Sequence, residues 1–132
     1  MDIHLRIIGV ALIILGLLHV VFPWYFNWKT ELERLSLVNR QIMQVHTFFI
    51  ALIVLLMGVL CLVAPTELLT TPLGRTLSLG MAIFWTARLL IQFFGFSPAL
   101  WKGKPFETIV HIVFSGFWIY LSWAFWTIAL IS

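Results

Sequence analysis

The sequence predicts an all-α integral membrane protein, a bundle of four transmembrane helices joined by short loops. Two features of the composition support this fold class: 62% of the 132 residues are hydrophobic, and only 10% carry a formal charge. Soluble domains contain about 25% charged residues, because polar side chains must cover their surface. The third feature is the charge distribution, which leaves four long stretches almost free of charged residues. We therefore expect the excess apolar surface to face lipid.

The four spans are predicted at residues 6–26, 41–64, 72–94 and 106–130. At about 1.5 Å of rise per residue, each span is long enough to cross a hydrocarbon core of about 30 Å. Together they form a single transmembrane domain over residues 1–132. Asn39 is expected to cap the second helix, and Thr71 followed by Pro72 is expected to begin the third.

The connection between the first two spans, residues 27–40, is predicted to contain a short interfacial helix. Thr30 followed by Glu33 is a capping-box pattern, which is typical of a helix start. The first span ends in an aromatic cluster of the kind found at membrane interfaces. That cluster consists of Trp24, Tyr25, Phe26 and Trp28.

Lysines and arginines are distributed unevenly over the two faces of the predicted bundle. The 27–40 and 97–106 loops carry five of them, namely Lys29, Arg34, Arg40, Lys102 and Lys104. The opposite face carries only Arg6 and Arg75. Because cytoplasmic loops are enriched in these residues, we expect both loops in the cytoplasm and both termini outside, in a multi-pass protein of the cell inner membrane. The net charge of +3 is too small to indicate nucleic-acid binding.

Four ionisable side chains inside the spans are predicted to lie at one depth, about 6–10 Å below the cytoplasmic boundary. They are His19, His46, Arg88 and His111, one from each span. Polar side chains inside a membrane usually face the bundle interior and often mark function. Helical spacing predicts one such face on each of the last three spans. On the second span, His46 shares a face with Ile50, Ile53, Met57 and Cys61. The face on the third span consists of Ser78, Met81, Trp85, Arg88 and Gln92, and the face on the fourth consists of Glu107, His111, Ser115, Trp118 and Ser122.

The three histidines suggest a metal or haem site, since neutral imidazole binds zinc, copper and iron. His19, His46 and His111 are the candidate ligands, and Glu107 lies one helical turn before His111. The permanent charge of Arg88 in the same layer opposes a bare dication. The alternative for each histidine is a hydrogen bond to a neighbouring helix near the aqueous boundary.

Arg88 has two interpretations, because an arginine this deep in a span needs a partner. One is an ion pair with Glu107, the carboxylate within the spans on the same side of the membrane. The other is a ligand with an anionic, carbonyl or quinone head group, held by Arg88, Gln92 and a histidine. Trp85 and Trp118 would then pack on the rings of that ligand in a largely apolar pocket.

Two motifs of the chain resemble a widespread group of small, uncharacterised bacterial membrane proteins of about this length. One is Trp28-Lys-Thr-Glu-Leu32 followed by Asn39-Arg-Gln41, and the other is Phe84-Trp-Thr-Ala-Arg-Leu-Leu-Ile-Gln-Phe93. The resemblance implies a four-span layout, with Trp85, Arg88 and Gln92 as parts of a shared feature. His46 departs from the pattern of the group, so a three-histidine site would not be general to it. The resemblance implies no activity.

The predicted function is binding of a cofactor or small ligand in this polar layer, within a redox complex. A haem, a transition metal and a quinone-like molecule are the candidate ligands. The main alternative is an accessory or structural subunit whose polar layer only holds the helices together. An enzyme with a metal at the three histidines and an ion or small-molecule transporter are further alternatives. The expected partners are the lipid bilayer and either other membrane subunits or further copies of this chain in a homo-oligomer.

Overall fold

The computed structural model describes residues 1–25, 27–95 and 103–131, and every regular element in those ranges is helical. The elements in chain order are α1 (Asp2–Tyr25), α2 (Trp28–Glu31), a 3₁₀ turn (Leu32–Arg34), α3 (Leu37–Val63), α4 (Pro65–Thr70), α5 (Pro72–Phe94) and α6 (Pro105–Ile131). The all-α prediction is thus confirmed for these residues. Phe26, Lys102 and most of the 97–106 loop, which entered the interface and orientation predictions, lie outside the described residues.

Four of the helices, α1, α3, α5 and α6, are long and apolar enough to cross a membrane. In the most apolar 18-residue stretch of each, only 17–33% of the residues are buried. Soluble proteins rarely expose apolar side chains in continuous patches of this size. The four helices are therefore compatible with a multi-pass membrane protein.

Side-chain caps set the starts of α3 and α5. The Ser36 hydroxyl accepts a hydrogen bond from the N–H of Asn39 at 3.3 Å, so Ser36 caps α3 and the prediction of Asn39 as the cap was wrong. The start of α5 is as predicted. Thr71 Oγ1 accepts a hydrogen bond from the N–H of Gly74 at 2.9 Å, and Pro72 occupies the first turn.

A short helix, α2, follows α1 as predicted, but it does not begin with the expected capping box. Asn27 precedes α2 in the left-handed region at a φ of 53°, which asparagine adopts more readily than most residues do. The Asn27 side chain makes no capping bond. Thr30 lies inside α2, so the Thr30–Glu33 pair is not at a helix start.

The chain divides into two compact units, Ile3–Pro65 and Thr66–Ser132 with Met1–Asp2. In the first unit α1 and α3 pack antiparallel, since Gly9 lies against Gly58 whereas Gly16 lies against Ala51. A Cβ atom on Gly58 would stand 2.7 Å from the carbonyl oxygen of Gly9. The close approach of the two backbones therefore requires glycine at this crossing.

In the second unit α4 folds back on the start of α5, and α5 packs against α6. A Cβ atom on Gly74 would stand 2.6 Å from the Cα of Leu68, so glycine is also required there. α5 and α6 run antiparallel, because Gln92 is bonded to His111 while Trp126 is bonded to Thr86. The predicted α5 stripe faces inward: Ser78, Met81, Trp85 and Gln92 are buried, and Arg88 is half-buried.

Candidate functional site

The side-chain amide of Gln92 is the centre of a polar network between α5 and α6. Its Oε1 atom accepts a hydrogen bond from Arg88 Nη1 at 3.2 Å, one turn earlier on α5. The same oxygen accepts from Trp118 Nε1 on α6 at 3.3 Å. Its Nε2 atom donates to Nδ1 of His111 at 3.0 Å. Gln92 is buried, with an exposed fraction of 8%, so these bonds form in a water-poor environment where each is worth more than at the surface.

The network determines which nitrogen of His111 carries the proton. A guanidinium and an indole N–H can only donate, so the oxygen of the Gln92 amide must face Arg88 and Trp118. The amide nitrogen, which also can only donate, then faces His111. Nδ1 of His111 must therefore be an acceptor, and the proton of the neutral ring sits on Nε2.

Trp118, which donates to Gln92, also stacks on a second tryptophan, Trp85. The guanidinium carbon of Arg88 lies 4.8 Å from the centroid of the Trp118 ring, a cation–π distance. Trp85 stacks on Trp118 with ring centroids 5.3 Å apart and planes inclined by 10°. Trp85 and Trp118 are 2% and 3% exposed. Trp85, Arg88, Gln92 and Trp118, four of the predicted ligand-binding residues, thus lie together.

The indole N–H of Trp85 is a buried donor without an acceptor among the described residues. A buried donor left without a partner costs about 1–3 kcal/mol. This donor belongs to a ring that stacks on Trp118, which the Arg88 guanidinium also contacts. The site therefore combines a positive charge with a hydrogen-bond donor that an oxygen acceptor would satisfy.

Glu107, the fifth predicted ligand-binding residue, lies apart from this cluster. It is exposed in the first turn of α6 and makes no ion pair or side-chain hydrogen bond with a described residue. Arg88 instead contacts Trp118, eleven residues further along α6. Eleven residues correspond to about 16 Å of helix, more than an arginine side chain spans. The interpretation of Arg88 as an ion pair with Glu107 was therefore wrong.

His19, in the first unit, has the opposite tautomer from His111. Its Nδ1 lies 2.8 Å from the backbone carbonyl oxygen of Leu15, which can only accept, so Nδ1 carries the proton. The lone pair of the neutral ring is then on Nε2. A ring N–H donating to a carbonyl is the arrangement common among metal-ligating histidines, but it is equally a plain helix contact.

His46 does not lie on the surface of α3 that lines a cavity with His19. The α3 residues that line a cavity with His19 are Gln44, Thr47, Phe48 and Ala51. His46 lies off that face and is exposed. Within residues 1–25, 27–95 and 103–131, no group of three or more His, Cys, Asp or Glu side chains is arranged to hold a metal ion. A haem or metal site at His19, His46 and His111 stays a prediction.

One contact of the α5–α6 pair was not predicted. Trp126 Nε1 donates to Thr86 Oγ1 at 2.8 Å, eight residues beyond Trp118 along α6. The sequence offers a weak signal for it, since a threonine hydroxyl and an indole N–H in apolar spans both need partners. Their pairing depends on the register of the helices, which spacing within one helix does not give.

Trp85, Arg88 and Gln92 lie on one face of α5, and each contacts Trp118 of α6. Inferences about function rest on these contacts, because comparison with known proteins adds none. No family model matches the chain, and no curated protein or solved structure is detectably similar to it.

Proposed function

We propose that the chain is an integral membrane protein that binds a small quinone-like ligand through a carbonyl or anionic oxygen. The ligand oxygen would accept hydrogen bonds from the Arg88 guanidinium and the Trp85 indole N–H. Trp118 would pack against the ring of the ligand. Gln92 is a positioning residue, because it holds both Arg88 and Trp118 by its amide oxygen.

The unsatisfied indole N–H of Trp85 is the observation that carries this proposal. Protein cores rarely retain a buried donor without an acceptor unless a bound group supplies one. A guanidinium inside an apolar helix is similarly costly, and such residues commonly mark binding sites in membranes. A carbonyl oxygen is a suitable partner for both groups, whereas a cation is suitable for neither.

The tautomer of His111 favours this ligand class over a metal or haem. A ligating histidine offers a lone pair, but the Nδ1 lone pair of His111 accepts the Gln92 N–H and the proton occupies Nε2. His111 in this network is thus a donor at Nε2, like Arg88 and Trp85. Metal binding there would require the Gln92 bond to break.

In this proposal the protein resides in the bacterial inner membrane, with the 27–40 and 97–106 loops in the cytoplasm. Arg88 lies six residues before the end of α5, about 9 Å from the end of that helix on the cytoplasmic side. This depth is accessible to the head group of an amphiphile dissolved in the bilayer. A redox complex is the natural setting for a quinone site, and its other subunits would be membrane partners of this chain.

Equilibrium dialysis of the detergent-solubilised protein against duroquinone tests the proposal. The ring of duroquinone is fully substituted, so it does not alkylate the buried thiol of Cys61. Arg88→Gln is expected to weaken binding at least about tenfold, since a hydrogen bond from a charged group contributes about 1.5–3 kcal/mol. The matched control is Arg75→Gln, which removes an exposed arginine from the same helix and should leave affinity unchanged.

Trp85→Phe provides a second variant, because it removes the indole N–H and keeps an aromatic ring at the site. It should weaken duroquinone binding by about threefold to tenfold. Unfolding midpoints show whether each variant is folded. Equal binding by the wild type, Arg88→Gln and Trp85→Phe would contradict the proposal, as would the absence of saturable binding by the wild type.

A structural role for the network is the second candidate, and one observation favours it. Two of the three bonds of the Gln92 amide join α5 to α6, and the third holds Arg88 on α5, all within one compact unit. Such a network can hold two helices together without any ligand. In that case Arg88→Gln would lower the unfolding midpoint, and duroquinone would not raise the midpoint of the wild type.

A further inference from the structure

A cleft of about 520 Å³ lies in the first unit, where the end of α1, α2 and the start of α3 meet. Trp24 and Trp28 form its aromatic wall, and Lys29, Glu33 and Arg40 line it with charge. The Gln92 network belongs to the second unit and shares no residue with this cleft. The proposed quinone site uses none of these residues.

A smaller cavity of about 230 Å³ shares three lining residues with this cleft, Pro23, Trp28 and Gln44. Its other lining residues are His19, Val20, Thr47, Phe48 and Ala51, further from the α1–α3 connection along both helices. From the outer cleft to the smaller cavity, the lining side chains change from charged to apolar. The outer cleft is charged, Gln44 and His19 are polar, and Val20, Phe48 and Ala51 are apolar. The two cavities together thus present an amphipathic surface.

The charged side chains of the outer cleft are not paired with one another. Lys29, Glu33 and Arg40 make no side-chain hydrogen bond or ion pair with any residue that the structure describes. Arg40 is nevertheless half-buried. Because no residue in the described ranges pairs with the half-buried Arg40 guanidinium, an anion bound beside it would supply the missing partner.

We propose that this cleft binds one anionic phospholipid, with the head group in the outer part and an acyl chain along the inner part. Lys29 and Arg40 contact the phosphate, and the two tryptophans lie at the level of the glycerol backbone. Glu33 accepts a hydrogen bond from a head-group hydroxyl, which favours phosphatidylglycerol over lipids whose head groups carry a second negative charge. The proposal rests on membrane insertion as proposed above, but not on the quinone site.

Native mass spectrometry of the delipidated protein in detergent tests this inference. Phosphatidylglycerol and phosphatidylcholine with identical acyl chains are added separately, and bound adducts are counted. The expected result is one retained phosphatidylglycerol per chain and at least about tenfold weaker binding of phosphatidylcholine. Equal retention of the two lipids would overturn the proposal.

Two arginine variants locate the site. Arg40→Gln should reduce phosphatidylglycerol binding about tenfold. Arg34→Gln removes the same charge from the exposed 3₁₀ turn outside the cleft lining, and it should have no effect. If both variants lose the lipid equally, general surface charge is responsible and the cleft proposal is wrong. Lys29→Gln replaces Arg40→Gln if the latter does not fold.

A competition experiment distinguishes a lipid from free phosphate. Inorganic phosphate in large excess should not displace phosphatidylglycerol, because it gains nothing from the inner cavity. Thr47→Trp, which narrows that cavity, should weaken the long-chain lipid and leave binding of dihexanoyl phosphatidylglycerol less affected. Displacement by phosphate, or no effect of Thr47→Trp, would overturn the lipid assignment. Duroquinone binding should be unchanged by Arg40→Gln, so failure of one proposal is distinguishable from failure of the other.

Discussion

Gln92 on α5 donates its amide N–H to Nδ1 of His111 on α6 across 3.0 Å. Arg88 and Trp118 both donate to the amide oxygen, so it is the amide nitrogen that faces His111. The orientation of one carboxamide thus determines the protonated nitrogen of a histidine on the neighbouring helix. The same carboxamide positions the Arg88 guanidinium, which we propose binds the ligand.

His19 and His111, whose ring nitrogens have identified hydrogen-bond partners, should therefore be opposite tautomers. Nitrogen NMR of histidine-labelled protein should show His111 protonated at Nε2 and His19 protonated at Nδ1, since their partners are a donor and a carbonyl respectively. Substituting each histidine in turn assigns the signals. A His111 ring protonated at Nδ1 would mean that the Gln92 amide is reversed, and it would contradict the network.

Removing the Gln92 amide should destabilise the α5–α6 pair. Gln92→Leu keeps the approximate side-chain volume but removes the oxygen to which Arg88 and Trp118 donate, a loss of about 2–4 kcal/mol in the free energy of unfolding. Denaturant unfolding in detergent measures this change. Gln41→Leu, on an exposed site of α3, is the matched control and should change stability by less than about 0.5 kcal/mol. Equal effects of the two substitutions would contradict the proposed role of Gln92.

Spacing within single helices correctly predicted the inward face of α5. Ser78, Trp85 and Gln92 recur at seven-residue steps, and a helix places such residues on one side whatever it packs against. The spacing could not predict the register between α5 and α6, which is why Glu107 was a candidate partner for Arg88. The contacts of Gln92 with both His111 and Trp118 are consequences of that register.

The side of α3 on which His46 lies was not predicted correctly, for a related reason. The close contact of α1 with α3 follows Gly58 and Ala51, and this face continues to Gln44. His46 is two residues from Gln44, about 200° around the helix. Taking the small residues as the contact face would have placed His46 outside it, but their role is evident only once the helices are seen together.

The glycine crossing of α1 and α3 should tolerate no side chain. Gly58→Ala puts a Cβ atom 2.7 Å from the carbonyl oxygen of Gly9 and should lower the free energy of unfolding by about 1–3 kcal/mol. Gly116→Ala is the matched control, because a Cβ atom there meets nothing within 4 Å. The control should be neutral or stabilise by up to about 1 kcal/mol, since alanine favours helices. A neutral Gly58→Ala would show that the backbones do not approach this closely.

The proposed orientation can be tested with a pair of threonine-to-cysteine substitutions in a Cys61→Ala background. Thr30 and Thr70 are both exposed, and they belong to the two loop regions that we place on opposite faces. A membrane-impermeant maleimide should label Thr70→Cys in intact spheroplasts and Thr30→Cys only after the membrane is opened. The reverse pattern would contradict the orientation inferred from the lysines and arginines. Labelling of both sites in intact spheroplasts would put them on one face and contradict the crossing of the membrane by α3.

The most direct test of the central claim follows the indole N–H of Trp85 while duroquinone is added. In the nitrogen–proton NMR spectrum, its resonance is assigned by its absence from Trp85→Phe. We predict a saturable downfield shift of the Trp85 N–H proton as a ligand oxygen becomes its acceptor, with a midpoint at least about tenfold higher in duroquinone for Arg88→Gln. A Trp85 resonance that stays unchanged in the wild type at saturating duroquinone would contradict the account.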